Sequence, residues 1–166
     1  MNFLNYKELS KEMLEQLEKG AFLTVKNDEK VNSMTIGWGN IGYIWNKPIF
    51  TVLVRHSRYT YEMLKDTNEF TISVPLNADM SKELEVCGTQ SGRDIDKVKE
   101  LNLNLKDSVS INTPILDDCD LHFECKIVLR QTMEPELFDK KLNDAKYPNK
   151  DYHVIYYGEI VKTYTN

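Results

Sequence analysis

Alternating apolar and polar positions recur along this chain and predict β-strands more often than helices. The clearest case is segment 121–129, where apolar residues occupy every odd position and His122 and Glu124 begin the other face. Successive side chains of a strand point to opposite faces, so this segment is predicted to be a strand with one solvent-exposed face. Ile49 to Val54 is too continuously apolar for an open surface, and Glu69 to Val74 alternates up to a proline. Both are therefore predicted strands as well.

A hairpin and a long final strand complete the predicted sheet. Ala21 to Val25 and Val31 to Gly37 flank a polar run at 27–30, which is typical of a hairpin. Tyr152 to Tyr164 is rich in aromatic residues and is interrupted only by Gly158. Six or more strands joined by hairpins, without long helical crossovers, indicate a mostly antiparallel barrel or sandwich.

The predicted helices are short. Ser10 to Lys19 carries its apolar residues on one side and ends at Gly20, a common helix terminator. Three further short helices are predicted, at Tyr59 to Asp66, Met80 to Val86 and Asp94 to Glu100. Two polar segments, 91–97 and 140–150, are predicted to be loops that reach over a site.

Size and charge narrow the class of protein. The 166 residues fit a single domain, 1–166, with room for a sizeable core. Because 21 Lys and Arg residues oppose 26 Asp and Glu residues, the formal net charge is -5, which disfavours a nucleic-acid-binding surface.

The distribution of apolar residues and cysteines indicates a compartment. The first residues contain no apolar leader, and no window approaches the roughly 18 apolar residues that a membrane helix needs. The three cysteines lack a CxxC pair, and the three histidines lack a short metal-ligand spacing, so neither a disulfide framework nor a metal site is indicated. We therefore expect a cytoplasmic protein without a metal.

Five of the seven glycines fall in two short stretches. Three lie in NSMTIGWGNIG (32–42) and two in CGTQSGRDIDK (87–97). Such clusters indicate close approach of the backbone to another group, which would be a ligand. An ordinary bulge in the first stretch and a tight loop in the second are the alternative.

The segment VRHSRYT (54–60) has the composition of a phosphate site. It lies between a predicted strand and a helix start, where N–H groups, hydroxyls and guanidinium groups converge on an anion. The residues concerned are Arg55, Ser57, Arg58 and Thr60, with Ser91 and Lys97 as candidates to complete the site. Helix capping by Ser57 or Thr60, with solvated arginines, is the alternative. Because no GxxxxGK[ST] loop is present, a nucleoside triphosphate is not suggested.

Several motifs in series carry a family resemblance. NSMTIGWG, IWNKP, VRHSRYT, FTISVP, CGTQSGRDIDK and the closing GEI occur in that order between Gly20 and Ile160. This series resembles the flavin reductase-like family of FMN-binding split barrels, especially its flavoredoxin-like branch. The resemblance implies a mostly β fold, namely a six-stranded antiparallel split barrel of Greek-key type with short peripheral helices. It also implies a homodimer that holds one non-covalent FMN per subunit near the dimer interface.

The resemblance assigns cofactor-binding roles by position. Backbone amides of one group would line the isoalloxazine, and this group comprises Asn32, Ser33, Met34 and Thr35. Trp38 would border the ring system. The phosphate would be held by Arg55, Ser57, Thr60 and Lys97. A second wall of the groove would be formed by Cys87, Gly88, Thr89 and Ser91. His153 would approach the flavin of its own or of the partner subunit.

The implied function is that of an FMN-binding oxidoreductase. It would accept hydride from NAD(P)H and pass electrons to flavin or to a protein or small-molecule acceptor. Because donors near N5 and the N1/C2 edge tune the potential while the cofactor performs the redox step, no catalytic residue is named. A flavoredoxin-type electron carrier reduced by a protein donor is the alternative, and a barrel without flavin is a remote third.

Three features remain open at this level. Reductases that serve two-component monooxygenases typically carry a serine and paired prolines where this chain has IWNKP (44–48), and this departure favours tightly held FMN. Cys87 is either a redox thiol or a small buried filler, and the absence of a nearby second cysteine favours the filler. A late run of aromatic residues has two alternative explanations: it packs on a cofactor or a partner subunit, or it reflects the ordinary composition of strands. The run comprises Phe138, Tyr152, Tyr156 and Tyr157.

Overall fold

Antiparallel strands dominate the computed structural model, which describes residues 1–166. The strands are β1 (Asn2–Phe3), β2 (Ala21–Asn27), β3 (Lys30–Ile36), β4 (Gly39–Ile44), β5 (Lys47–Arg55), β6 (Glu69–Val74), β7 (Leu105–Lys106), β8 (Ile115–Leu116), β9 (Leu121–Thr132) and β10 (His153–Thr165). The helices are α1 (Ser10–Leu17), α2 (Tyr59–Met63), α3 (Ser81–Thr89), α4 (Lys97–Glu100) and α5 (Lys140–Lys146), with a 3₁₀ turn at Pro135–Leu137. None of these helices is long and apolar enough to span a membrane.

One sheet contains eight of the ten strands. Its hydrogen-bonded path runs β3-β2-β6-β9-β10-β5-β4, with β1 paired to the end of β10. The two ends of this path, β3 and β4, are consecutive in the chain and are joined only by Gly37 and Trp38. The sheet must therefore curl until its first and last strands approach each other, which makes a split barrel.

The predicted fold class is confirmed, with a larger strand count. All six predicted strands are present, and β1 and β4 add two more to the same sheet. β4 escaped prediction because Gly39, Asn40 and Gly42 give it the composition of a turn. It forms because every one of its residues pairs with β5, from Gly39 opposite Val52 onward.

The barrel encloses a continuous apolar core. Phe50 and Phe123 meet edge to face there with ring centroids 5.3 Å apart. Met13 and Leu17 of α1 are buried and join the same core, which explains why the apolar side of this helix is needed. A smaller cluster lies under α3 and includes Cys87, whose burial raises its pKa to about 11. The thiol therefore stays protonated and behaves as a small apolar group.

The exposed face predicted for β9 is wrong in its first half. His122 and Glu124 are fully buried, Glu124 beneath segment 107–114, and only from Lys126 onward does the polar face reach solvent. The Glu124 carboxylate accepts hydrogen bonds from Val109 N at 2.6 Å, Ser110 N at 2.7 Å and Tyr164 Oη at 2.8 Å. Burial lowers the pKa of His122 to about 4, so this imidazole is neutral near pH 7.

Other local predictions are also corrected. Within segment 140–150, predicted as a loop, residues 140–146 form α5, which begins because the Asp139 carboxylate accepts a hydrogen bond from Leu142 N at 2.9 Å. The helix predicted from Asp94 starts only at Lys97, where Asp96 is the capping residue. Neither Ser57 nor Thr60 caps α2, because both hydroxyls are bonded to distant parts of the chain.

Gly158 lies where β10 crosses the core, next to a shift in its register with β9. A Cβ at this position would lie 2.5 Å from Phe70 Cζ and 2.8 Å from Cys125 Cβ. We expect Gly158→Ala to lower the free energy of unfolding by about 2 kcal/mol, since overfilled cores cost that much. Denaturant titration measures this loss. Gly42→Ala is the matched control because a Cβ there meets nothing within 4 Å, and equal losses in both variants would contradict the steric explanation.

Candidate functional site

Two adjoining cavities lie at one end of the barrel. The first, of about 210 Å³, is here called the basic cavity and is lined by residues that include Asn32, Arg55, Arg58, Lys97 and Asp151. The second, of about 190 Å³, is called the aromatic cavity and is lined by residues that include Trp38 and His153. Both cavities share three lining residues, which are Met34, Arg55 and Arg58. The two therefore form one site with two chemically different ends.

Strand alternation explains which residues of β3 enter the site. Asn32 and Met34 line the basic cavity, whereas Ser33 between them faces away and accepts a hydrogen bond from Thr24 Oγ1 at 3.2 Å. Asn32 Nδ2 donates to Thr60 Oγ1 at 2.9 Å, and both side chains are buried. This bond fixes the start of α2 against β3 and holds the Thr60 hydroxyl at the cavity.

Lys97 is a buried cation without a counter-ion. Only 4% of the residue is exposed, and its ammonium group donates to the main-chain oxygen of Cys87 at 3.2 Å. None of the four ion pairs in the structure involves it. Burial lowers its pKa, and the nearby Arg58 charge lowers it further, although the Cys87 side chain acts in the opposite direction. Because a buried charge is costly unless it is paired, this lysine is poised for an anion.

Arg55 and Arg58 also lack carboxylate partners. Arg55 donates to the main-chain oxygens of Asp151 at 2.6 Å and Lys146 at 3.3 Å. Arg58 donates to the main-chain oxygen of Gly88 at 2.8 Å, and neither guanidinium group takes part in an ion pair. Three cations thus converge on the basic cavity and are held in place by carbonyl groups, which leaves their charge available to a ligand.

The segment after α3 closes one side of the basic cavity. Arg93 donates to both carboxylate oxygens of Glu62, at 2.7 and 3.3 Å, and to the main-chain oxygen of Ser57 at 3.1 Å. Its charge is therefore paired. At Gly92 a Cβ would collide with the Asn32 side chain and lie 2.8 Å from Tyr59 Cδ1, so only glycine lets this segment pass so close to β3 and α2.

Besides the shared arginines, the aromatic cavity is lined by two uncharged rings. Trp38 is 41% exposed and lies 5.2 Å from the His153 ring, measured between centroids. His153 is buried and its Nδ1 is 2.9 Å from Tyr147 Oη. Burial lowers the pKa of His153 to about 4, and the Arg55 charge acts in the same direction. The imidazole is therefore neutral near pH 7 and adds a flat, uncharged surface beside the cations.

Twelve of the fourteen residues predicted to bind a cofactor line one of the two cavities. Nine line the basic cavity, namely Asn32, Met34, Arg55, Ser57, Thr60, Cys87, Thr89, Ser91 and Lys97. Three more line only the aromatic cavity, namely Thr35, Trp38 and His153. Ser33 and Gly88 line neither, although the main-chain oxygen of Gly88 positions Arg58. The arrangement brings the predicted set together, and the contacts of its members with a cofactor remain predictions.

Some lining residues were absent from the predicted set. Arg58 was part of the phosphate motif but had no role in the resemblance, and Arg93 follows directly on the SG of the second glycine stretch. Asp151 carried no sequence signal at all, because it lies 94 residues from its partner Ser57. Only the pairing of β10 with β5 brings it to the cavity.

The residues present fit a phosphate ester of a flat ring system. A buried ammonium group, two guanidinium groups and the Thr60 hydroxyl suit a phosphate, and all lie within the basic cavity. The neighbouring cavity has the rings of Trp38 and His153 and the side chain of Met34, which suit an aromatic plane. The group implied by the resemblance, FMN, has these two parts.

Solved structures show the same fold. Flavoredoxin from Methanosarcina acetivorans is 26% identical with a TM-score of 0.68, covering 89% of this chain and 68% of that one. Flavoredoxin of Desulfovibrio vulgaris is 22% identical with a TM-score of 0.69, over 89% and 69%. An FMN-binding protein from Thermus thermophilus is 20% identical with a TM-score of 0.66, over 87% and 68%.

Sequence comparison gives relatives and a family. An uncharacterized protein of Archaeoglobus fulgidus is 32% identical over 107 residues, which are 64% of this chain and 59% of the relative. One of Pyrococcus abyssi is 23% identical over 135 residues, or 80% and 65%. The chain thus spans less than two thirds of the length of these curated relatives.

The sequence model of the flavin reductase like domain matches residues 19–166. The resemblance noted in the sequence is confirmed, and the chain belongs to the flavin reductase-like family.

Proposed function

We propose that this protein is an FMN-binding oxidoreductase that accepts hydride from NAD(P)H and passes electrons to flavin or to another acceptor. The observation that supports it most is the convergence of Arg55, Arg58 and Lys97, none paired with a carboxylate, beside a cavity walled by Trp38 and His153. Phosphate and ring of one ligand would occupy the two ends.

Some residues of the site would hold the phosphate, and others would shield the ring system from water. Lys97, Arg58 and the Thr60 hydroxyl would hold the phosphate, which fixes the depth of the ligand in the site. The neutral His153 ring and Trp38 would cover part of the ring system and exclude water from it. FMN, when bound, supplies the hydride acceptance and electron transfer, so the protein needs no general base.

The visible absorption spectrum of the purified protein tests FMN binding. We expect a yellow protein that releases FMN on denaturation, identified by chromatography. A colourless protein whose thermal stability does not rise when FMN is added would contradict the proposal.

The electron donor requires a second experiment. If NAD(P)H is the donor, anaerobic mixing with NADH or NADPH in a stopped-flow instrument bleaches the flavin absorbance. The similarity to two flavoredoxins favours the alternative, an electron carrier reduced by another protein. That alternative predicts slow bleaching by both nucleotides and fast reduction by a ferredoxin-like donor.

We also propose a homodimer. An exposed apolar strip runs along the β4–β5 hairpin and onto β9, where Tyr43 is 63% exposed, Trp45 55% and Leu129 39%. Trp45 contacts Tyr157 of β10 with ring centroids 5.8 Å apart, so the strip is continuous across the sheet. Contiguous exposed apolar surface of this kind typically marks an interface. Light scattering on the 19.4 kDa chain checks the proposal, and a monomer at micromolar concentration would contradict it.

The compartment is part of the proposal as well. The three cysteines, Cys87, Cys119 and Cys125, are free and buried, as expected of a protein that works in the reducing cytoplasm.

A further inference from the structure

Asp151 occupies the position of an anion inside the basic cavity. Ser57 N donates to its Oδ1 at 3.2 Å, and Ser57 Oγ donates to its Oδ2 at 2.6 Å. These are the main-chain and hydroxyl donors that the sequence motif offers to a phosphate. A carboxylate of the protein itself therefore takes up both donors of Ser57.

The carboxylate of Asp151 forms no ion pair with the cations around it. No ion pair includes this carboxylate, although four cationic side chains line the same cavity and only Arg93 among them is paired. Arg55 bonds instead to the main-chain oxygen of Asp151 at 2.6 Å. The negative charge thus remains at the cavity wall, where it repels any second anion.

We propose that Asp151 competes with the flavin phosphate for Ser57 and thereby weakens the hold of the site on FMN. This inference rests on the proposed function, because it assumes that FMN occupies the two cavities. Binding of the phosphate either displaces the carboxylate from Ser57 or brings two anions close together. Both outcomes subtract from the affinity for FMN, whereas riboflavin, which has no phosphate, is unaffected.

The competing explanation gives Asp151 the opposite effect. If its carboxylate only positions the 56–58 turn, its removal loosens the turn and weakens binding. The sign of the change in affinity therefore separates a competitor from a positioning residue.

Asp151→Asn is the decisive variant because it removes the charge and keeps an acceptor oxygen for Ser57. Fluorescence titration of the flavin-free protein gives the Kd of FMN and of riboflavin. We expect the Kd of FMN to fall about three- to tenfold, the effect of relieving one like-charge contact at a partly exposed site. The Kd of riboflavin should change less than about twofold. Asp144→Asn is the matched control, since it removes the same charge from exposed α5 and lines neither cavity.

A double-mutant cycle with Ser57→Ala tests whether the two anions compete for Ser57 itself. In the Ser57→Ala background the gain in FMN affinity from Asp151→Asn should shrink, because the contested hydroxyl is gone and only the main-chain donor remains. An undiminished gain would overturn competition for the Ser57 hydroxyl. Unchanged or weaker FMN binding by a folded Asp151→Asn protein would overturn the proposal as a whole, as would equal gains for FMN and riboflavin. Circular dichroism verifies folding.

Failure of the proposed function has a different signature. In that case neither FMN nor riboflavin binds the wild-type protein, and no variant restores binding. This result would overturn both proposals together, whereas normal FMN binding with no effect of Asp151→Asn would overturn only the second.

Discussion

Lys97→Met is expected to stabilise the flavin-free protein and to weaken FMN binding by about 1 to 3 kcal/mol. The loss of binding follows from removing a charged contact to the phosphate. The gain in stability follows from the burial of Lys97, whose ammonium group has only one carbonyl partner and no carboxylate. Methionine fills a similar volume without a charge that needs hydration. A substitution that raises the stability of the flavin-free protein but lowers the affinity for FMN indicates that the residue serves ligand binding.

Two measurements check this expectation. Denaturant unfolding of the flavin-free proteins gives the change in stability, and FMN titration gives the change in affinity. The pKa of Lys97 is lowered in the folded state relative to its ordinary value of 10.5, so the unfolded chain binds more protons between the two values. The stability of the wild-type protein therefore rises with pH in that range relative to the variant. The difference between the two proteins should be largest at neutral pH and should shrink as the pH approaches 10.5.

Lys99→Met is the matched control. It lies on the same short helix, is exposed and lines neither cavity. We expect little change in either stability or FMN affinity. If Lys97→Met destabilises the flavin-free protein, the cation has a structural role. If the variant leaves FMN affinity unchanged, the phosphate lies elsewhere.

Glu124→Gln is expected to lower the free energy of unfolding by about 3 kcal/mol. The carboxylate is fully buried and accepts three hydrogen bonds, from Val109 N, Ser110 N and Tyr164 Oη. An amide has only one acceptor oxygen, so its NH₂ group would face a donor, and hydrogen bonds to a charged group are worth more than neutral ones. Because segment 107–114 is anchored here through Val109 N and Ser110 N, its detachment would expose residue 124 to solvent.

Chemical denaturation measures the loss, with Glu136→Gln as the control at an exposed position. None of the residues bonded to Glu124 lines either cavity, so FMN affinity of the folded variant should stay within about twofold of wild type. A loss of stability below about 1 kcal/mol would show that the carboxylate is not the anchor of the segment.

Local patterns predicted most of the sheet because strand periodicity depends on neighbours in sequence. Glu69 to Val74 was predicted with the observed bounds of β6, and the polar turn after β2 marked its hairpin with β3. The buried face of β9 could not be predicted, since the cover over Glu124 comes from segment 107–114 and is a tertiary contact. β4 was not predicted either, because Gly39 and Gly42 give it the composition of a turn. It forms a strand only through its pairing with β5.

The candidate site was predictable where its chemistry is local. VRHSRYT holds two guanidinium groups and the Thr60 hydroxyl within a few residues, and the structure places all three at the basic cavity. Capping of α2 by Ser57 or Thr60 was wrong, because Asp151 and Asn32 take these hydroxyls. Those partners lie 94 and 28 residues away, and no local pattern indicates them.

The pairing of β5 with β10 has a consequence for biosynthesis. Arg55 and His153 face each other in this register although nearly a hundred residues separate them, so neither cavity exists until β10 has been added to the sheet. Contacts of such long sequence separation form slowly, and the loop between the strands must close first. Flavin therefore cannot guide the early collapse of the chain. If the proposed function holds, flavin can only bind molecules that have already folded, and the flavin concentration sets how much of the folded population is protected from unfolding.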